Sequence, residues 1–363
     1  MDGRAELAGV VGTARGKRML FDISENDRRI YTERLADFLP PQVIDVHTHV
    51  WLRSFIGEPS DAAPRIVSWP SLVAEDNPIK DLVETYRLML PEQDVTPVIF
   101  GSPRRDVDLA ATNGYVSEVA RTRGLPGLLV STPTWSAEEL ATQVKEGGFL
   151  GLKPYLAFAP ARIPAGEITI FDFFPRAHLR VADDHGWVVM LHIPRAARLR
   201  DPVNVAQLLE IEQAYPNVRL IVAHIGRAYC LTDVGDALEA LSATSRMCFD
   251  FSANTNAEVM AELIRAVGPQ RVLFGSDLPI LRMRMRRICE EGRYVNLVPP
   301  GLYGDVGSDT HMREVSEAEG QTLSFFLYEE LIAFHRAAEA TGLGRHSVAD
   351  VFHNNAVRVF GLQ

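Results

Sequence analysis

The chain has 363 residues, 47% of them hydrophobic and 23% charged, which suits a globular protein with one sizeable core, within the range of a single large α/β barrel. A net charge of −10 and a pI near 5.5 exclude general nucleic-acid binding, which needs a basic face for phosphates. No apolar run approaches a membrane span, Asp2, Arg4 and Glu6 break any secretory leader, and Cys230, Cys248 and Cys289 show no C-x-x-C spacing, so the reading is a cytoplasmic protein without disulfides.

Residues 1–41 read as an N-terminal extension. Ser24 is an N-cap with Asp27 at the capping-box position, and Ile30, Leu35 and Phe38 predict a short helix ending before Pro40-Pro41. The remainder, 42–363, reads as one domain in which short apolar runs alternate with amphipathic stretches. The first strand carries Val43-Ile44 and closes on Asp45-Val46-His47-Thr48-His49. Further strands are expected at 95–102, 124–132, 149–156, 187–193, 218–225, 246–252 and 271–277. Helices are expected at 78–90, from Ser136, and at 170–185, 202–214, 233–244 and 256–267. Near-continuous apolar strands alternating with helices indicate a parallel sheet covered on both faces, and eight of them favour a closed (β/α)8 barrel. No glycine-rich phosphate loop follows any strand.

The pattern breaks after the eighth strand. Residues 281–315 are rich in Arg, Gly and Pro and read as a long irregular insertion, a lid or subunit contact that the barrel can lose and still fold. Two helices, 317–341 and 347–360, close the chain.

Polar residues gather at the strand ends. His47 and His49, two apart on one strand, should share a face with Asp45, and paired imidazoles form half of a metal site. His192, His224 and Asp277 end the fifth, sixth and eighth strands. In a barrel of this kind the C-terminal strand ends converge on one mouth, so all five should line one pocket.

The strings DVHTHV, LHIPR, AHIGR, FGSDLP and NNAVRVFGL resemble the amidohydrolase superfamily, most closely its amidohydrolase-related branch of hydrolases, lactonases and non-oxidative decarboxylases. The resemblance implies a (β/α)8 barrel with one divalent cation at its mouth. It matches His47, His49, His192 and Asp277 to metal ligands and His224 to the histidine acting beside the metal. Lys153 lies near the place where binuclear relatives carry a carboxylated lysine, with substrate contact or a strand-end salt bridge as alternatives. Family members often follow the sixth-strand histidine with Gly-Gly, whereas Gly226 here precedes Arg227.

Three imidazoles and a carboxylate suit zinc, with manganese or iron as alternatives. Such an ion activates water for attack on a polarised carbonyl, with Asp277 taking the proton and His224 steadying the oxyanion. The expected activity is hydrolysis of a small anionic C–O or C–N substrate; the alternative is decarboxylation of an aromatic or muconate-like acid at the same site. Arg195 and Arg227, each shortly after a site histidine, are candidate anion contacts, and Trp51 a candidate apolar wall. The arginine row Arg282, Arg284, Arg286 and Arg287 reads either as a roof over the substrate or as a face toward a second copy of the chain in a homo-oligomer.

Overall fold

A computed structural model describes residues 20–57 and 73–362. The expectations for Asp2, Arg4 and Glu6 lie outside the described residues, as does the first half of the N-terminal extension. The eight strands are β1 (Gln42–His49), β2 (Asp94–Phe100), β3 (Leu128–Ser131), β4 (Gly151–Pro154), β5 (Val188–Leu191), β6 (Arg219–Val222), β7 (Cys248–Asp250) and β8 (Val272–Leu273). β3 to β8 pair in sequence order and in parallel, and β1 pairs in parallel with β2. Single bridges close the ring: Ile99 meets Gly127 between β2 and β3, and Thr48 meets Leu278 between the eighth strand's continuation and β1. The result is the (β/α)8 barrel that the alternation predicts.

Two buried layers follow from strand alternation. Ile44, Val46, Val98, Val130, Met190, Ile221 and Leu273 fill the barrel, while Val43, Leu129, Leu152, Val189, Leu220, Val222 and Phe274 face the helices. Helix Ile79–Met89 shows the fit between pattern and packing. Its Ile79, Leu82, Tyr86 and Met89 fall at helical spacing and are the apolar residues it buries, with Thr85 beside them. Helix Ala137–Gly147 opens on the Ser136–Glu139 capping box and stops at Gly148, whose φ of 67° a residue with a Cβ resists. The Ser24–Asp27 capping box forms as well, and Tyr31, Leu35 and Leu39 behind it join the main core.

Several expected elements are corrected. The helix expected at 170–185 is two, Ile170–Phe173 and Arg176–His185, because Pro175 lacks the N–H a continuous helix would use. The last stretch likewise divides into Glu317–Gly320, Phe326–Thr341 and the run from Arg345 to Phe360. Residues 281–315 are not irregular throughout: β9 (Arg286–Glu290) and β10 (Arg293–Val298) form an antiparallel hairpin, and β11 (Met312–Glu314) joins β10 in parallel. Nor are the cysteines all free. Cys230, after β6, forms a disulfide with Cys289 on β9, and only Cys248 remains a buried thiol. A sequence separation of 59 hides their proximity from any spacing rule, and the barrel alone brings them together. Among the described residues, no helix is long and apolar enough to cross a membrane.

Candidate metal centre

The mouth of the barrel holds a cleft of about 880 Å³, partly open to solvent, whose lining includes His47, His49, His192, His224 and Asp277. All five strand-end residues singled out from the sequence therefore meet in one place. Trp51 lines it too, joined by Tyr155 directly after β4 and by Tyr229 and Arg104 on loops, none of which the sequence singled out.

The two β1 histidines reach the cleft through a bulge. Asp45 pairs with Pro97 but Thr48 with Ile99, so β1 carries one extra residue and its alternation flips. Asp45 consequently points outward, against the expectation that it shares the histidines' face. It accepts hydrogen bonds from the Tyr86 hydroxyl (2.8 Å) and the Ser276 N–H (2.8 Å), and burial raises its pKa to about 7. The displaced His47 presses on Gly275 of the FGSD string. A Cβ there would come within 2.7 Å of the His47 Cβ, so this position must be glycine. His224 is aimed by another unusual backbone: His224, Ile225, Gly226 and Arg227 all have positive φ, at 57°, 50°, 58° and 61°. A β-branched residue in that region is strained, and such strain persists where surrounding structure over-determines it.

Each imidazole uses its Nδ1 in the same way. The Nδ1 of His47 lies 3.0 Å from Asp250 Oδ2, that of His49 3.1 Å from the Gly101 carbonyl, and that of His224 3.0 Å from the Ser252 carbonyl. His192 Nδ1 lies 3.3 Å from the Ile193 carbonyl. These oxygens can only accept, so each Nδ1 carries the proton and each Nε2 is left with a lone pair. Burial, the main cause, brings the pKa of His47 down to about 3 and lowers those of His192 and His224, which keeps the rings neutral.

The lone pairs then face one another. His49 Nε2 and His47 Nε2 lie 3.2 and 3.6 Å from Asp277 Oδ1, contacts between acceptors with no proton between them. A divalent cation resolves that conflict, and its ligand chemistry matches neutral imidazole plus carboxylate. His47, His49 and Asp277 form one group with ligand atoms inside 4.8 Å, and His47, His224 and Asp250 form another. His192 lies outside both groups, on the facing wall, with its ring 5.0 Å from that of His224.

Asp250 is the main site residue that the sequence did not single out. Burial raises its pKa, but the neighbouring His47, then His224 and Ser252, outweigh this and hold the carboxyl well below its usual range. It accepts from His47 on one oxygen and from the His224 N–H (2.8 Å) on the other, so one carboxylate orients both histidines. Lys153 is wholly buried beside the histidines, its Nζ 3.4 Å from His47 Nε2, and burial lowers its pKa to about 8. It does not line the cleft. Neither do Arg195 and Arg227: Arg195 pairs with Asp201 (3.2 Å), and Arg227 donates to the Ile193, Pro194 and Arg195 carbonyls at 3.3–3.4 Å, bracing the loop after His192. The arginine row does not roof the cleft either. Arg284 pairs with Asp27 (2.7 Å), Arg286 with Glu329 (3.7 Å), and Arg282 and Arg287 turn inward to Asn77 and Asn296.

Fold and donor set together define a barrel enzyme of the metal-dependent type. The sequence profile of the amidohydrolase family matches residues 44–362, and the chain belongs to that family. Among solved structures it resembles an amidohydrolase from Burkholderia multivorans with bound zinc, at 14% identity, 89% of this chain, 100% of that one and a TM-score of 0.54. It also resembles a dihydroxybenzoic acid decarboxylase from a Polaromonas species with bound manganese and 2-nitroresorcinol, at 15% identity, 89% and 98% coverage and a TM-score of 0.51. A third is a probable 2-pyrone-4,6-dicarboxylic acid hydrolase from Acinetobacter baumannii with bound citric acid, at 16% identity, 88% and 99% coverage and a TM-score of 0.52. At these identities the likeness shows the fold alone. A search of the curated proteins finds no match.

Proposed function

We propose that this chain is a metal-dependent hydrolase of small anionic C–O or C–N substrates. The observation that carries the reading is the convergence of three unprotonated donors, His47 Nε2, His49 Nε2 and Asp277 Oδ1, on the floor of the cleft. These would hold one divalent ion, zinc by preference or manganese or iron, with His192 reaching it from the facing wall. When bound, that ion supplies a Lewis acid for a substrate carbonyl and makes water a competent nucleophile near neutral pH.

The protein groups divide the remaining work. Asp277 has a carboxylate at the floor placed to take a proton. His224 presents an unprotonated Nε2 to the cleft, with Nδ1 held by Ser252, so it can receive a proton and return it to a leaving group. Arg104 also lines the cleft, but Asp106 engages both its Nε (2.8 Å) and its Nη2, so the pair brings no net positive charge there. Trp51, Tyr155 and Tyr229 give the cleft aromatic walls and restrict access of bulk water.

Those walls favour a second reading, decarboxylation of an aromatic acid. The two are separated by incubating zinc-loaded protein with 2-pyrone-4,6-dicarboxylate and with 2,6-dihydroxybenzoate and analysing products. Hydrolysis opens the lactone without carbon dioxide, and His224→Asn should slow it by about 10²–10⁴-fold while keeping the metal. Carbon dioxide from the benzoate, with no lactone opening, establishes the lyase instead. An unimpaired His224→Asn variant contradicts the role given to that histidine.

A further inference from the structure

Residues 286–298 touch the cleft through one aromatic side chain. Tyr229 lies on the loop five residues beyond His224 and lines the cleft. Its ring is gripped by two guanidinium groups: Arg287 of β9 at 4.6 Å and Arg198 at 5.4 Å from the ring centroid. Both arginines also cover Tyr294 of β10, at 4.6 and 4.8 Å, and the edge of one tyrosine meets the face of the other at 5.0 Å. Neither arginine is free to leave. Arg198 pairs with Asp233 (2.7 Å), and Arg287 is held by Asn296 (2.8 Å) and by the Ala253 carbonyl. The next residue after Tyr229 is Cys230, disulfide-bonded to Cys289 of β9. Asp233 completes the clamp by accepting from the N–H groups of Tyr229 (3.1 Å) and Cys230 (2.9 Å).

A tyrosine that merely filled space would not need this. Backbone, ring and neighbouring side chain are each tied, two of the three to the small sheet, and the restrained ring ends at the cleft. A ring fixed before a ligand arrives loses little freedom on binding, which is how a wall discriminates by shape. We propose that Tyr229 is the specificity-determining wall of this site, and that β9 and β10, through Arg287, Tyr294 and the Cys230–Cys289 disulfide, are what position it for a substrate with a flat ring. The proposal deepens the function proposed above and rests on it for the metal centre alone. It does not depend on whether the reaction is hydrolysis or decarboxylation.

The test uses metal-chelating probes that differ only in the group reaching the wall. The cobalt(II)-loaded protein is titrated with acetohydroxamate and with benzohydroxamate, followed by its visible spectrum, for wild type, Tyr229→Ala and Cys289→Ser. Acetohydroxamate should bind all three within about twofold, whereas Tyr229→Ala should weaken benzohydroxamate by about tenfold and Cys289→Ser by several-fold. Equal weakening of both probes, or none, overturns the wall. In parallel, hydrogen exchange on the metal-free proteins reads the positioning directly. Amides of 229–234 should exchange about tenfold faster in Cys289→Ser, with the barrel strands unchanged. Unchanged protection there overturns the role of the small sheet, whatever the probes do. Failure of the protein to bind cobalt would count against the metal centre and leave the exchange result to decide the positioning.

Discussion

Four imidazoles at one mouth all direct Nδ1 to a protein acceptor, which turns each Nε2 the other way. The acceptors behind them should matter almost as much as the rings. Asp250→Asn keeps the size of the side chain but can present an amide N–H to His47 and removes the charge that steadies it. It should weaken zinc binding by about 10–100-fold with the fold intact, measured by competition with a chelator. Unchanged affinity would mean that Asp250 does not orient the ligands. The histidines and Asp277 were legible in the sequence because each ends an apolar run. Asp250 was not, because in Cys248-Phe249-Asp250-Phe251 a lone acid among buried residues gives no periodic signal. The outward turn of Asp45 was hidden for a different reason: it depends on a one-residue bulge, and strict alternation cannot foresee that.

The elements around the barrel are bound into it more tightly than composition suggested. Asp27, on the first described helix, is fully buried and accepts from Arg284 (2.7 and 3.0 Å), Ser324 (2.6 Å) and its own cap Ser24 (2.7 Å). Burial pushes its pKa up, but Arg284, Ser324 and Ser24 outweigh this and bring it below the ordinary value. A depressed carboxyl contributes stability that is present above the unfolded pKa of about 4 and is lost as pH falls through the folded value. Asp27→Ala should therefore cost about 3 kcal/mol at pH 7 in denaturant unfolding, and the gap to wild type should narrow in strong acid. A gap that stays constant with pH would show that the charge is not what stabilises the contact. The same pair bears on residues 281–315. Removing 284–312 takes away Arg284, the inward-facing Arg287 and Cys289 together, so the shortened chain should fail to give a cooperative unfolding transition. A folded, metal-binding product would show that the segment is the dispensable lid its arginines and glycines suggest. Strands of three to six residues broken by Gly and Pro leave too short a pattern to read, and that is why this sheet was missed.

For the molecule as a whole, eight alternating runs were enough to identify the barrel, because a parallel strand buried on both faces has few other readings. The meeting of the five strand-end residues in one cleft followed, since strand order decides which end of each strand reaches the mouth. What pairs across the fold could not follow. The Cys230–Cys289 disulfide, the Asp27–Arg284 pair and the grip on Tyr229 join residues far apart in the chain, and only closure of the barrel brings them together. Closure also brings β1 against the eighth strand's continuation, where the Asp277 N–H donates to the His47 carbonyl (2.8 Å), so the relative placement of His47 and Asp277 depends on the ring being complete. The most direct test is elemental analysis of protein equilibrated with zinc and freed of excess by gel filtration, beside a His47→Ala/His49→Ala variant. About one zinc per wild-type chain and almost none in the variant is the predicted result. Wild-type protein that retains no zinc, or a variant that retains as much as wild type, would contradict a metal centre built on these residues.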